Sequence, residues 1–209
     1  MNIKEIFRSN PVLAIMRNVP LDITVDYAQA AYEGGIRVFE VAMNSTHGLE
    51  QITTLAKHFA GKAHIGAGTS VTVDLAKAAL DAGAEYLLTP SSPVAVLEYC
   101  AKNGVAFLPG VLTPTDVGTC LEHGFDTLKL FPAGDMPASY VKNLKGPFDG
   151  TEYVAIGGVS PGKLGDFFKA GYLGAGMGSN LYPKEVVERR EWDKAARFIA
   201  DTLARAKSS

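Results

Sequence analysis

The chain has 209 residues, 47% hydrophobic and 20% charged, with a formal net charge of −2 at pH 7. This length suits one sizeable core and is marginal for two, and the charge balance excludes any electrostatic bias toward nucleic acid or an anionic membrane. No apolar run is long enough to span a bilayer, and Met1 to Glu5 lack the apolar stretch of a signal peptide.

In chain order, short apolar runs fall at residues 12–16, 37–42, 64–67, 86–89, 105–108, 127–131, 153–156 and 173–177. They recur roughly 20–27 residues apart, the length of a strand plus a crossover helix. Residues 1–10 read as a short lead-in helix. Between the runs lie amphipathic segments, such as Val25, Ala28, Ala31 and Tyr32, or Trp192, Ala195, Ile199 and Leu203. Both match the 3.6-residue period of a helix with one buried stripe. Ser92-Pro93, Thr113-Pro114 and Ser160-Pro161 each place a capping hydroxyl before a proline suited to the first helical position. Gly34-Gly35, Gly83, Gly104, Gly124 and Gly171 each stand where a helix must end ahead of the next strand.

Eight alternating units without a break in composition predict a single α/β domain over 1–209, a closed (β/α)8 TIM barrel. The alternative, an open doubly wound sheet, calls for fewer strands and a glycine-rich loop after the first, which Ile15-Met16-Arg17-Asn18 does not provide. Cys100 and Cys120 both fall in expected helices, which argues against a disulfide framework and for a reducing cytoplasm.

In such a barrel the active site lies at the carboxyl ends of the strands. The sixth expected strand carries Lys129 between Leu128 and Leu130. If the leucines face the helices, alternation turns Thr127, Lys129 and Phe131 into the barrel. A buried amine is costly without a partner or a chemical task; the task open to it is attack on a carbonyl carbon to form a Schiff base. The alternative is a surface lysine on an edge strand. By the same parity Glu40, between Phe39 and Val41 on the second strand, points inward. It serves either as a proton-transfer group or as a carboxylate neutralising Lys129.

Gly157-Gly158 after the seventh strand and Gly178-Ser179 after the eighth offer N–H groups, and one hydroxyl, to a phosphate. Arg17, ending the first strand, suits a substrate carboxylate or a structural ion pair. Thr69 suits a hydrogen bond to that carboxylate, while Thr89 serves the substrate or only the turn before Pro90. His47, His58, His64 and His123 show no metal-ligand spacing.

Several motifs carry a resemblance to the class I aldolases of 2-keto-3-deoxy-6-phospho sugar acids, the KDPG/KHG aldolase family, over nearly the whole chain. They are Ala14-Ile15-Met16-Arg17, Phe39-Glu40-Val41-Ala42-Met43-Asn44-Ser45, Ile65-Gly66-Ala67-Gly68-Thr69, Leu128-Lys129-Leu130-Phe131-Pro132, Ile156-Gly157-Gly158-Val159 and Gly176-Met177-Gly178-Ser179-Asn180-Leu181-Tyr182. The resemblance implies that Lys129 forms the Schiff base, Glu40 shuttles protons, and Gly157, Gly158, Gly178 and Ser179 hold phosphate. It also implies no metal or organic cofactor, and commonly a homotrimer.

Within the family, Asn44-Ser45, Ile156 and Arg17 resemble the phosphogalactonate branch. The phosphogluconate branch has arginine and threonine where Asn44 and Ile156 stand. The implied reaction is reversible cleavage of 2-dehydro-3-deoxy-6-phosphogalactonate to pyruvate and D-glyceraldehyde 3-phosphate. The alternatives are the phosphogluconate or 4-hydroxy-2-oxoglutarate substrate, a sugar-phosphate isomerase or epimerase with Glu40 as base, and a non-catalytic phosphosugar-binding barrel.

Overall fold

The computed structural model describes residues 2–208. Its strands are β1 (Val12–Met16), β2 (Val38–Ala42), β3 (His64–Gly68), β4 (Tyr86–Leu88), β5 (Ala106–Leu108), β6 (Gly110–Val111), β7 (Thr127–Leu130), β8 (Glu152–Ile156) and β9 (Gly174–Met177). All pair in parallel in the order β5-β4-β3-β2-β1-β9-β8-β7-β6. The strand beyond the eight expected is β6, which continues the fifth expected strand past its end at Leu108. Pro109 has no N–H for the ladder and separates β5 from β6. β5 bonds back to β4 and β6 forward to β7, and the Pro109 carbonyl accepts from Lys129 N at 2.8 Å. Residues 106–111 therefore join both ends of the sheet, and the barrel closes as expected.

The helices are α1 (Ile3–Ser9), α2 (Thr24–Glu33), α3 (Gly48–His58), α4 (Val73–Asp81), α5 (Val94–Asn103), α6 (Pro114–Glu122), α7 (Tyr140–Lys145), α8 (Leu164–Lys169), α9 (Lys184–Glu188) and α10 (Trp192–Ser208). Among the described residues none is long and apolar enough to cross a membrane.

Strand parity divides the core in two. Ala14, Met16, Phe39, Val41, Leu128, Leu130, Tyr153 and Ala155 pack outward against the helices. Leu13, Ile15, Val38, Tyr86, Leu108, Val154 and Ile156 fill the barrel, joined by Ile3, Ile6 and Phe7 of α1. The lead-in helix is thus a plug at the amino-terminal end of the barrel. Phe7 lies over Gly174, where a Cβ would approach its ring to 2.7 Å. Losing that ring would cost about 3–5 kcal/mol, the usual price of an emptied aromatic site.

Capping corrects part of the sequence reading. Thr113 caps α6 as expected: its hydroxyl accepts from Asp116 N at 3.4 Å, while Asp116 Oδ2 accepts from Thr113 N at 2.8 Å. Ser92 and Ser160 do not cap in this way. Helix α5 starts one residue after Pro93, and Pro161 opens a 3-10 turn ahead of α8, neither with a side-chain cap. Proline fixes its own φ but does not turn the preceding serine hydroxyl toward the helix. The expected helix-ending glycines fare better, and Gly104 caps α5 in the left-handed region at φ 63°.

Candidate active site

The interior-facing positions of β2 and β7 bring Glu40 and Lys129 into the barrel, 1% and 4% exposed. Lys129 occupies the β7 position that pairs with Gly110 on one side and Val154 on the other, and Leu128 and Leu130 face the helices. Among the described residues, its Nζ meets no hydrogen-bond acceptor and no carboxylate in ion-pair contact; its near neighbour is the Phe131 ring, 5.2 Å from Nζ to centroid. The edge-strand alternative is excluded by this burial. Glu40 is equally uncommitted: its Oε2 is buried without a partner. Such orphaned polar groups are rare in cores and collect where chemistry is done.

The environment favours the neutral amine. Burial is the largest influence on Lys129 and lowers its pKa; the Glu40 charge acts next and raises it; the Arg17 charge lowers it again. The net direction is down, so desolvation prevails over the carboxylate. The room for Glu40 comes from β3, where Gly68 offers no side chain against its carboxylate. Gly66 does the same for the ring of Tyr86, whose hydroxyl donates to the Phe39 carbonyl at 2.7 Å.

Arg17 leaves β1 exposed at the mouth, its Nη1 donating to Asn44 Oδ1 at 3.0 Å. No carboxylate pairs with it among the described residues, so the ion-pair alternative finds no support. Thr69 follows β3 with φ 61°, a left-handed backbone strained for a β-branched residue. Thr89 follows β4 fully buried, donating to the Ser91 carbonyl at 2.6 Å and accepting from Gly110 N at 3.4 Å. Its hydroxyl is therefore engaged in holding the turn against β6.

The two glycine loops are neighbours because β8 and β9 pair. Gly157 and Gly158 have φ of 87° and 72°, and Gly134 N donates to the Gly157 carbonyl at 2.7 Å. A Cβ on Gly158 would meet Gly134 Cα at 2.9 Å. Among the described residues, the N–H groups of Gly158, Gly178 and Ser179 find no protein acceptor. Donors without acceptors at the carboxyl ends of the last two barrel strands suit an anion.

Sequence reasoning did not assign three neighbours of this site. Asn44 was legible only as part of a motif, because nothing in its type foretold the contact with Arg17. Phe131 was legible as inward-facing, yet it is 36% exposed, standing between Lys129 and Gly157. Gly68 was legible only as part of a motif and proves to be the space for Glu40.

Comparison with known proteins identifies the family and agrees with the fold. The aldolase family described as KDPG and KHG aldolase matches residues 3–198. The chain is 32% identical over 191 residues to the 2-dehydro-3-deoxy-6-phosphogalactonate aldolase of Escherichia coli (strain K12), spanning 90% of this chain and 93% of that protein. It is 31% identical over 199 residues to the 2-dehydro-3-deoxy-phosphogluconate aldolase of Pseudomonas aeruginosa, spanning 93% and 87%. A solved structure described as native KDPGal superposes with a TM-score of 0.83 at 31% identity, over 95% of this chain and 97% of that one. The chain therefore belongs to the KDPG and KHG aldolase family and is a carbon–carbon lyase.

Proposed function

We propose that this lyase reversibly cleaves 2-dehydro-3-deoxy-6-phosphogalactonate to pyruvate and D-glyceraldehyde 3-phosphate through a Schiff base on Lys129. The observation that carries this reading is the presence, inside one barrel, of a buried amine without an acceptor and a buried carboxylate with an orphaned oxygen. Neither group does structural work that would explain its burial.

The chemistry follows from these two groups. The neutral Lys129 amine attacks the C2 ketone, giving a carbinolamine. Glu40 relays a proton from solvent to its hydroxyl, water leaves, and a protonated imine remains. The Glu40 carboxylate takes the proton of the C4 hydroxyl, directly or through a water. The C3–C4 bond breaks, its electron pair enters the imine to form an enamine, and glyceraldehyde 3-phosphate departs. Glu40 returns the proton to C3, and water hydrolyses the pyruvyl imine to pyruvate and free Lys129. Arg17 and Thr69 would hold the substrate carboxylate. The N–H groups of Gly157, Gly158 and Gly178, with Ser179, would hold the phosphate. Thr89 would act at one remove, by shaping the floor of the mouth.

The galactonate substrate is our first reading because Arg17, Asn44-Ser45 and Ile156 follow that branch of the family. Ile156 presents an apolar wall beside Ile15 and Gly176. An apolar side chain in place of a hydroxyl is a change that alters preference between epimers. The phosphogluconate substrate is the second reading, favoured by the likeness to the P. aeruginosa enzyme. Assembly as a homotrimer and residence in a reducing cytoplasm belong to the same proposal; the thiols of Cys100 and Cys120 are both free and buried.

Two measurements test it. Borohydride added with pyruvate is expected to leave a reduced pyruvyl adduct on Lys129, found by peptide mass; an unmodified, active protein would overturn the Schiff base. Cleavage of the two epimers side by side, read through lactate dehydrogenase, is expected to favour the galactonate. Equal or faster cleavage of the gluconate would overturn that choice.

A further inference from the structure

The loop after β1 is sewn to the segment after β2 by four side-chain hydrogen bonds. Ser45 Oγ accepts from Asn18 N at 3.0 Å, and Asn18 holds φ 54°, which turns the chain sharply just past Arg17. Gln51 Nε2 donates to the Val19 carbonyl and to Thr24 Oγ1, both at 2.8 Å. These three bonds fix backbone and helix start. The fourth differs in kind, because Asn44 Oδ1 accepts from the Arg17 guanidinium itself at 3.0 Å. Asn44 is held for this by its own turn, where Met43 N donates to the Gly68 carbonyl at 2.8 Å and Ser45 N to the Ala42 carbonyl at 3.0 Å.

We propose that Asn44 is a positioning residue, whose amide oxygen holds the Arg17 guanidinium oriented at the barrel mouth to receive the substrate carboxylate. The proposal rests on the reading of Arg17 as the group that binds that carboxylate. An exposed arginine otherwise explores many rotamers, and ordering it on binding weakens affinity. A carbonyl acceptor orients one N–H edge and leaves the other donors of the planar fork open for a carboxylate. Neutrality matters as much as geometry. An acidic residue at 44 would orient Arg17 equally well but would cancel the charge that the substrate needs.

The test is a double-mutant cycle on Asn44→Ala and Arg17→Ala. Asn44 is exposed, so truncation leaves no buried group unpaired and the melting temperature is expected to stay at the wild-type value. Asn44→Ala is expected to raise KM for the phosphorylated keto acid and the dissociation constant of pyruvate by about five- to tenfold. It is expected to change kcat less than about twofold, and the inhibition constant of glyceraldehyde 3-phosphate, which has no carboxylate, not at all. In the Arg17→Ala background the same substitution is expected to add nothing. Wild-type constants in Asn44→Ala, an equal loss for glyceraldehyde 3-phosphate, or a full further loss in the double variant would each overturn the proposal. Failure of the aldolase reading is seen separately, as no pyruvate from the wild-type protein.

Discussion

Glu40 and Gly68 fit together as carboxylate and vacancy: a Cβ at residue 68 would come within 1.6 Å of Glu40 Oε1 and 2.3 Å of its carboxyl carbon. The side chain on β2 occupies the space that a residue on β3 gives up, and the pairing of Val41 with Ala67 and Ala42 with Gly68 fixes that register. Gly68→Ala must therefore push the carboxylate off its place. Loss of a positioned proton-transfer group lowers kcat by about 10²-fold or more, and the added methyl costs about 1–3 kcal/mol of stability. Steady-state rates and a denaturant melt measure both. Wild-type turnover in Gly68→Ala would remove Glu40 from the mechanism.

The Lys129 amine governs the pH dependence. Because its pKa is lowered, chiefly by burial, the nucleophilic neutral form becomes dominant below the ordinary lysine value of about 10.4. The rate of imine formation should rise with pH and level off on the acidic side of that value. Arg17→Ala removes a cation that lowers the pKa, so the inflection should move to higher pH. Glu40→Gln removes an anion that raises it, so the inflection should move lower. Shifts of the same sign in the two variants would contradict this electrostatic picture.

The same shift sets a stability window. Between the lowered folded value and about 10.4, the unfolded chain binds more protons at Lys129 than the folded one, so this residue's contribution to stability rises with pH. Below the folded value the full cost of burying the charge applies. Lys129→Met should accordingly exceed the wild type in stability most on the acidic side of the window, and that difference should shrink as pH approaches about 10. Urea melts across that range test it, and the variant should be inactive throughout.

The glycine loops separate fold from binding. Gly178 lacks a positive φ, and a Cβ there would meet Ile15 only at ordinary contact distance, 3.7 Å. Gly178→Ala should keep wild-type stability, and Ser179→Ala likewise, since Ser179 is exposed. Ser179→Ala should raise KM for the phosphorylated substrate by about tenfold and leave a non-phosphorylated analogue unaffected, as expected for loss of one charge-assisted hydrogen bond. Gly158→Ala should also destabilise, because it combines φ 72° with a 2.9 Å approach to Gly134 Cα. An equal effect of Ser179→Ala on both substrates would argue against a phosphate at this loop.

Cys100 and Cys120 are buried, and burial pushes each thiol up to about 12. Thiolate is the reactive form, so both should resist an aromatic disulfide reagent at neutral pH until denaturant opens the fold. Activity should be unchanged by that reagent in the native state. Rapid reaction of either thiol in native buffer would contradict the packing around α5 and α6.

The sequence by itself determined which residues face the barrel and which face the helices, because strand alternation has a period of two and the apolar runs obey it. Lys129 and Glu40 stood out for that reason: each is a charge at an inward position between two apolar neighbours. The repeat of strand and helix determined the closed barrel, and the closed barrel determined which strand ends carry the site. Only the tertiary structure decided how the site is assembled across strands. The fit of Glu40 over Gly68, the hold of Asn44 on Arg17, and the engagement of Thr89 with the β6 turn depend on register and side-chain torsions, which no periodicity encodes. The serines before Pro93 and Pro161 show the same limit on a local scale, since a capping residue type does not fix where its hydroxyl points.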